Sequence, residues 1–441
     1  MTETIDGDVE APADEHPGWR HYAKELGPGL ITGASDDDPS GIATYAQSGA
    51  QFQYGLVWAA LVTWPLMTAV QEVCDRTALT TGQGLGELIR KRFGSRMRAL
   101  IGALIALLML ANALNMAADL VAIGQGMHLL HAGPATLWAV IGGIAITALV
   151  ISGSFETIAH VFKILCLSLI SYLIVLAVSH VDWGAVFRNL LIPHITWSAA
   201  YFGLLIGVLG TTISPYLFFW QSANRVEELR AEPEGGPQPV TLDERSSGLA
   251  RLKTRTSRMD VLFGMTLSNL VMFAIIVATG ATLGADGGQK IGSAADAAKA
   301  LEPVAGSLAT VVFALGFVGS GFLAVPVLAG SGSSAMAGLL NKRWGFSRSP
   351  RKAPVFYGLV VVATIGATLL SLLHVNPISL LVVVAVINGV LAAPFVAIVM
   401  LIADDERIMG DHRNGRLART LGWLTFALMA AAAIALLAIQ L

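Results

Sequence analysis

Three consecutive carboxylates, Asp36, Asp37 and Asp38, stand inside an apolar stretch and are followed at once by Pro39, Ser40 and Gly41. A carboxylate near the centre of a bilayer is costly and usually faces a cavity, a partner or an ion path. Its oxygens are hard donors suited to a cation. Neither this stretch, 27–50, nor the apolar stretch 198–224 carries a Lys, Arg or His as a fixed counter-charge, so a bound metal ion is the natural partner. Asp38 is the first candidate ligand. Asp36 and Asp37, up to one turn earlier, would line the approach and raise the local cation concentration.

The elements that must position Asp38 follow from composition and periodicity. Of 441 residues 54% are hydrophobic and only 13% charged, against about 25% charged in a soluble domain. Apolar runs long enough to cross a bilayer recur from end to end. Eleven spans are expected, at 27–50, 54–80, 99–127, 134–152, 157–180, 198–224, 259–284, 304–338, 354–374, 378–403 and 420–440, making an all-α polytopic membrane protein. Residues 1–26 are polar and read as a disordered cytoplasmic tail ahead of a single transporter-like domain, 27–441.

Span one breaks at Asp38-Pro39, and span six breaks at Ser214-Pro215 within "GTTISPYLFFWQS". Proline suits the first position of a helix, and Asp and Ser are good N-caps for the same start. Each span therefore reads as two half-helices. Interrupted helices at matching positions of two halves point to a midplane site in inverted-repeat transporters; two prolines that merely kink packed helices are the plainer reading. Thr211 and Thr212 lie at the unwound end of the first half of span six, where a carbonyl or hydroxyl would reach an ion, although backbone bonding is an equal use for their side chains.

Lys and Arg crowd the loops after spans two, six, eight and ten, while the opposite loops offer only Arg188, Lys290 and Lys299. By the bias of basic residues toward the cytoplasm, the N-terminus lies inside and the C-terminus outside, in the cell (inner) membrane. The segment from Glu227 to Ser257 reads as a solvated linker. Glu72 and Asp75 share one helical face and either line an inner vestibule or pair with Arg76 and nearby loop cations. The small-residue run "GSGFLAVPVLAGSGSSAMAG" suits close helix packing.

Other chemistries find little support. Cys74 and Cys166 both fall in apolar segments, which argues against a disulfide framework or a thiolate metal site. No nucleophile–base constellation appears, and "GQGLGE" at 82–87 has no strand before it to make a phosphate loop. An enzyme, a resident cofactor and a nucleic-acid partner are not expected. The expected partners are the lipid bilayer and a divalent cation as cargo, with the chain monomeric.

These residues resemble the Nramp family of divalent-metal transporters, whose first span carries Asp-Pro-Gly-Asn and whose sixth carries Met-Pro-His. The stretches "AADLVAIG" and "DDERIMGDHRNGRLARTLGW" are similar to the family as well, and the likeness covers nearly the whole chain. It implies the inverted-repeat fold shared with the amino-acid transporter LeuT. Repeat one would occupy about 27–180 and repeat two about 198–403, with an extra helix at about 420–440.

The departures set the expected cargo. Matching the first motif keeps Asp38 and puts Gly41 at the family's ligand asparagine. Matching the second puts Ser214 at the thioether ligand, Tyr216 at the first histidine and Gln221 at the second. Asp119 matches a family acid, while the glutamate three residues on becomes Ala122. The span-ten glutamine becomes an apolar residue near Val386, with Asn388 close by. A thioether favours transition metals over Mg²⁺, so its loss leaves hard oxygens only. Ser40, Gly41 and Ser214 also make room, which suits a hydrated Mg²⁺. The pattern resembles the Nramp-related magnesium transporters, with Mn²⁺ as a second cargo. Loss of both histidines and one acid implies uptake without proton coupling; Asp119 stands as either a hydrogen-bonded structural group or a proton carrier. The competing readings are a proton-coupled Mn²⁺/Fe²⁺ transporter of the main family type, an organic-solute transporter of the same fold, and a non-transporting sensor.

Overall fold

Long apolar segments broken by proline and glycine form helices throughout. The computed structural model describes residues 27–152, 155–232, 238–282, 307–373 and 377–440. The expected tail at 1–26, Lys290 and Lys299 lie outside them. All regular elements among the described residues are helical: α1 Pro28–Asp36, α2 Pro39–Phe52, α3 Trp58–Thr81, α4 Leu85–Arg92, α5 Ser95–Leu129 and α6 Ala135–Ser152. There follow α7 Phe155–Leu165, α8 Ile170–Val178, α9 Trp183–Leu191, α10 Ala199–Thr212, α11 Pro215–Ala231 and α12 Ser247–Thr282. The chain closes with α13 Ser307–Leu339, α14 Pro354–Leu370, α15 Pro377–Ala403, α16 Glu406–Met409 and α17 Arg416–Gln440.

Eight of the spans are long and apolar enough to cross a bilayer on their own, and α14 is a shorter apolar helix. Helix α3 carries Glu72, Asp75 and Arg76, and the first span is divided into α1 and α2. With these the eleven expected crossings are all present. Aliphatic side chains such as Leu110, Ile144, Leu167 and Val362 are exposed around the outside, as a lipid-facing surface requires.

Both expected breaks are present. Helix α1 ends at Asp36, Asp37 caps it, and α2 starts at Pro39 with Asp38 as its N-cap. Helix α10 ends at Thr212 and α11 starts at Pro215. Long α12 packs along both halves of the first span. The approach is backbone on backbone: a Cβ added at Gly33 would fall 2.1 Å from the Gly264 carbonyl oxygen, so neither position has space for a side chain. Small residues permit such contacts where helices pack in lipid.

The linker expectation needs correcting. Helix α11 runs on to Ala231 and α12 begins at Ser247, so much of 227–257 is helix. Glu227, Thr256 and Ser257 are buried. These helix ends are polar, but their charges face one another across the bundle, so they pack where a solvated loop would not.

Candidate metal site at the broken helices

Asp38 sits at the junction of three spans, the first, third and sixth. Its extended backbone (φ −67°, ψ 168°) lets Oδ1 accept from the Gly41 N–H at 2.8 Å, which caps α2. The same oxygen accepts from Ser40 Oγ at 2.5 Å. Its second oxygen accepts from Asn115 Nδ2 on α5 at 2.8 Å and from the Tyr216 hydroxyl on α11 at 3.4 Å. That hydroxyl also lies 3.0 Å from the Ser35 carbonyl. Only 2% of Asp38 is exposed. Neutral donors thus hold the carboxyl group in place, and no Lys, Arg or His pairs with it among the described residues.

Its two neighbours diverge. Asp36 turns to α12, where Oδ2 accepts from Ser268 Oγ at 2.7 Å, while Oδ1 has no hydrogen-bond partner. Asp37 is fully buried and neither of its oxygens accepts a hydrogen bond among the described residues. The sixth span behaves differently from the expected N-cap. Ser214 makes no cap for α11; its hydroxyl donates backward to the carbonyls of Gly210 at 2.8 Å and Thr211 at 2.7 Å. Thr211 likewise donates to the Gly207 and Val208 carbonyls. Both hydroxyls keep lone pairs but spend their protons on the helix end, because α10 stops with unpaired carbonyls.

The expected room beside Gly41 is filled. A Cβ at Gly41 would lie 3.3 Å from the Tyr45 ring and 3.2 Å from the Asp36 carbonyl oxygen. Tyr45, one turn further along α2, lies close enough that it would have to shift by a few tenths of an ångström for a side chain at position 41.

Asp119 lies one turn beyond Asn115 on α5; it is fully buried, neither oxygen accepts a hydrogen bond, and Asp38 is its electrostatic neighbour. Asn388 is buried on α15 with its Oδ1 unpartnered, beside Gly389, whose backbone touches Gly210 near the end of α10. Gln221 is drawn away from the break, donating to Asp75 at 2.7 Å. No three His, Cys, Asp or Glu side chains among the described residues are grouped to hold a metal ion. A cation here would meet one firm carboxylate and neutral oxygens, without a cage of acids. Asn115 was missed from sequence; the signal available was an amide four residues before Asp119, on the same helical face.

The halves α1 and α11 of the two broken spans are tied down on one side of the bundle. Arg225 on α11 donates to Asp75 on α3 at 2.6 Å and to Asp260 on α12 at 3.0 Å, and it also bonds Glu228. Asp75 further accepts from Ser257. Asp260 caps α1 as well, accepting from the N–H groups of Gly27, Gly29 and Leu30 at 2.8–3.0 Å. Glu72 pairs with Arg76 at 3.1 Å and with Arg258 at 3.0 Å. The pairing reading of the span-two acids is the one the geometry displays.

Two half-helix pairs around a buried carboxylate define a transporter of the broken-helix, inverted-repeat class. Residues 29–439 match the family described as "Nramp: Natural resistance-associated macrophage protein-like", and the chain belongs to that family. It is 27% identical to the "Divalent metal cation transporter MntH" of Ralstonia nicotianae, over 97% of this chain and 93% of that one. The protein of the same description from Deinococcus radiodurans is 24% identical, over 92% and 88%. Among solved structures, the fold is similar to a manganese transporter of Eremococcus coleocola, with a TM-score of 0.75 at 18% identity over 97% of this chain and 88% of that one. A nucleobase-cation-symport-1 family transporter, MHP1, matches with a TM-score of 0.55 at 15% identity over 93% and 92%. The fold is thus the LeuT-like arrangement of two five-helix repeats with an eleventh helix.

Proposed function

We propose that this chain carries divalent metal cations into the cell across the inner membrane, with Mg²⁺ as the main cargo and Mn²⁺ as a second, and without proton coupling. The observation that carries the reading is Asp38: a buried carboxylate at a helix break, surrounded by hydroxyl and amide groups, with Ser214 where the family's thioether stands. Hard oxygens favour Mg²⁺ and Mn²⁺ over softer ions, and Mg²⁺ keeps several of its waters. The hydroxyls of Ser40 and Tyr216 and the amide of Asn115 would turn from Asp38 toward those waters as the ion arrives. Asp36, Asp37, Ser214, Thr211, Asn388 and the carbonyls of the two breaks are the remaining oxygen donors assigned to the path.

The membrane potential suffices as a driving force, since a doubly charged ion gains about 4.6 kcal/mol from 100 mV at roughly 2.3 per charge. Release would require the inner halves α1 and α11 to part from α12, which breaks the bonds of Asp260. The basic loops support a cytoplasmic position for this end and for the N-terminus.

A second reading, proton-coupled transport of Mn²⁺ or Fe²⁺, is favoured by one observation: among the described residues neither oxygen of buried Asp119 accepts a hydrogen bond, and Asp38 is its electrostatic neighbour. Uptake into proteoliposomes at fixed potential, with a pH dye inside, separates the two. Mg²⁺ entry without acidification, lost in Asp38→Asn, supports the uncoupled reading. Mn²⁺ entry with protons and no Mg²⁺ entry would replace it with the second.

A further inference from the structure

A cleft of about 740 Å³ opens on the outside of the bundle between α3, α12 and the start of α17, away from the Asp38 site. Its two ends differ in chemistry. One end is walled by Trp64, Pro65, Ala69, Leu262, Leu417 and Leu421. The other is rimmed by Arg76, Arg258, Arg413 and Arg416, with Glu72 and Asp411 as the only acids. Trp64 and Arg76 are separated by twelve residues of one helix, roughly 18 Å along its axis. The apolar end, with Trp64 and Leu417 exposed, would face acyl chains, and the guanidinium end would lie nearer the headgroups of the basic face.

Arg413 pairs with Glu406 at 2.9 Å outside the cleft, so the positive charge of the rim rests on Arg76, Arg258 and Arg416. Glu72 is already shared between Arg76 and Arg258. Arg76 is satisfied, since it also donates to the His412 carbonyl at 2.5 Å and to Asn414 at 2.6 Å. Arg258 uses only Nε on Glu72 and is 59% exposed along its side chain. Arg416 is exposed, with no side-chain partner among the described residues. Leu417, beside it, is 74% exposed. Two available planar forks above an apolar trough match a phosphodiester above an acyl chain, since guanidinium pairs bidentately with phosphate oxygens. Basic pockets between membrane helices on the cytoplasmic side are a known setting for anionic lipid headgroups.

We propose that this cleft binds an anionic diacyl phospholipid of the cytoplasmic leaflet, its phosphate held by Arg258 and Arg416 and one acyl chain laid along Leu417, Leu421, Leu262 and Trp64. The choice of leaflet rests on the orientation given above; the choice of lipid rests on the cleft alone. Because α12 also carries Asp260, a lipid bridging α12 to α3 and α17 would brace the helix against which α1 and α11 close.

Native mass spectrometry of the full chain, released from detergent mixed with phosphatidylglycerol or phosphatidylcholine, tests the assignment. Wild type is expected to retain phosphatidylglycerol over phosphatidylcholine by about tenfold or more, and Arg258→Ala/Arg416→Ala to lose most of that preference. Removing the same charge outside the cleft, in Arg251→Ala/Arg255→Ala, should leave it within about twofold. If the first pair does not fold, Arg258→Gln/Arg416→Gln carries the same test. Equal retention of the two lipids, or equal loss in the two double variants, would overturn the proposal. So would soluble glycerol phosphate displacing the lipid as well as intact phosphatidylglycerol does, because the site would then read an anion without its chains. None of these outcomes depends on which metal is carried.

Discussion

Arg225 and Asp260 are joined by a 3.0 Å ion pair in which both side chains are 2% exposed, and the same carboxylate caps α1 through three backbone N–H groups. One residue of α12 therefore holds both α1 and α11, one half of each broken span. Removing one partner of a buried pair leaves an unpaired charge and costs about 3–5 kcal/mol.

Asp260→Asn keeps the volume and loses the charge. In a background with Cys74→Ala and Cys166→Ala, labelling of Ala34→Cys from the cytoplasmic side is expected to speed up about tenfold or more, as α1 leaves α12 more often. An unchanged labelling rate would show that the cluster does not hold this side shut.

Filling the space beside Gly41 tests how the site is packed. Gly41→Asn drives a side chain into the Tyr45 ring and is expected to cost about 1–3 kcal/mol, as overpacking does. A lowered melting temperature, recovered by adding Tyr45→Ala, is the expected outcome. A Gly41→Asn protein as stable as wild type would mean that Tyr45 swings away at no cost.

Ser214→Met restores a soft donor at the second break. Soft thioether ligands select softer metals, so Cd²⁺ is expected to compete with Mn²⁺ uptake about tenfold more effectively than in wild type. Competition that does not change would place Ser214 off the ion's path.

Asp119→Asn separates the two coupling readings at one residue. In the uncoupled reading, Mg²⁺ uptake changes by less than about threefold and stays insensitive to an imposed pH gradient, since the side chain bonds nothing that the ion needs. A tenfold fall in uptake with loss of internal acidification would mark it as the proton carrier.

The proline at each break made the half-helices legible, because Asp-Pro and Ser-Pro in apolar runs have few other uses. Asp38 as the N-cap followed from the same dipeptide. Ser214 did not, since its hydroxyl found helix carbonyls one turn back, a choice that depends on local geometry and not on residue type. The room expected at Gly41 was filled by Tyr45, four positions on and therefore on the same face; reading the glycine without its helical neighbour hid the contact. The buried cluster of Arg225, Asp75 and Asp260 was hidden for another reason. Asp75 was expected to pair with a nearby cation, but counting Arg225 with the loop after span six hid its burial, and only the packing of α3, α11 and α12 brings it onto both Asp75 and Asp260.

The measurement that bears most directly on the account is equilibrium binding of Mn²⁺ to the purified chain, followed by electron paramagnetic resonance, with Mg²⁺ as competitor. Wild type is expected to bind Mn²⁺ and release it as Mg²⁺ is added, while Asp38→Asn, which keeps the amide-sized side chain but loses the charge, binds at least about tenfold more weakly. Undiminished Mn²⁺ binding in Asp38→Asn, or Mn²⁺ that Mg²⁺ does not displace, would contradict an oxygen site built on Asp38.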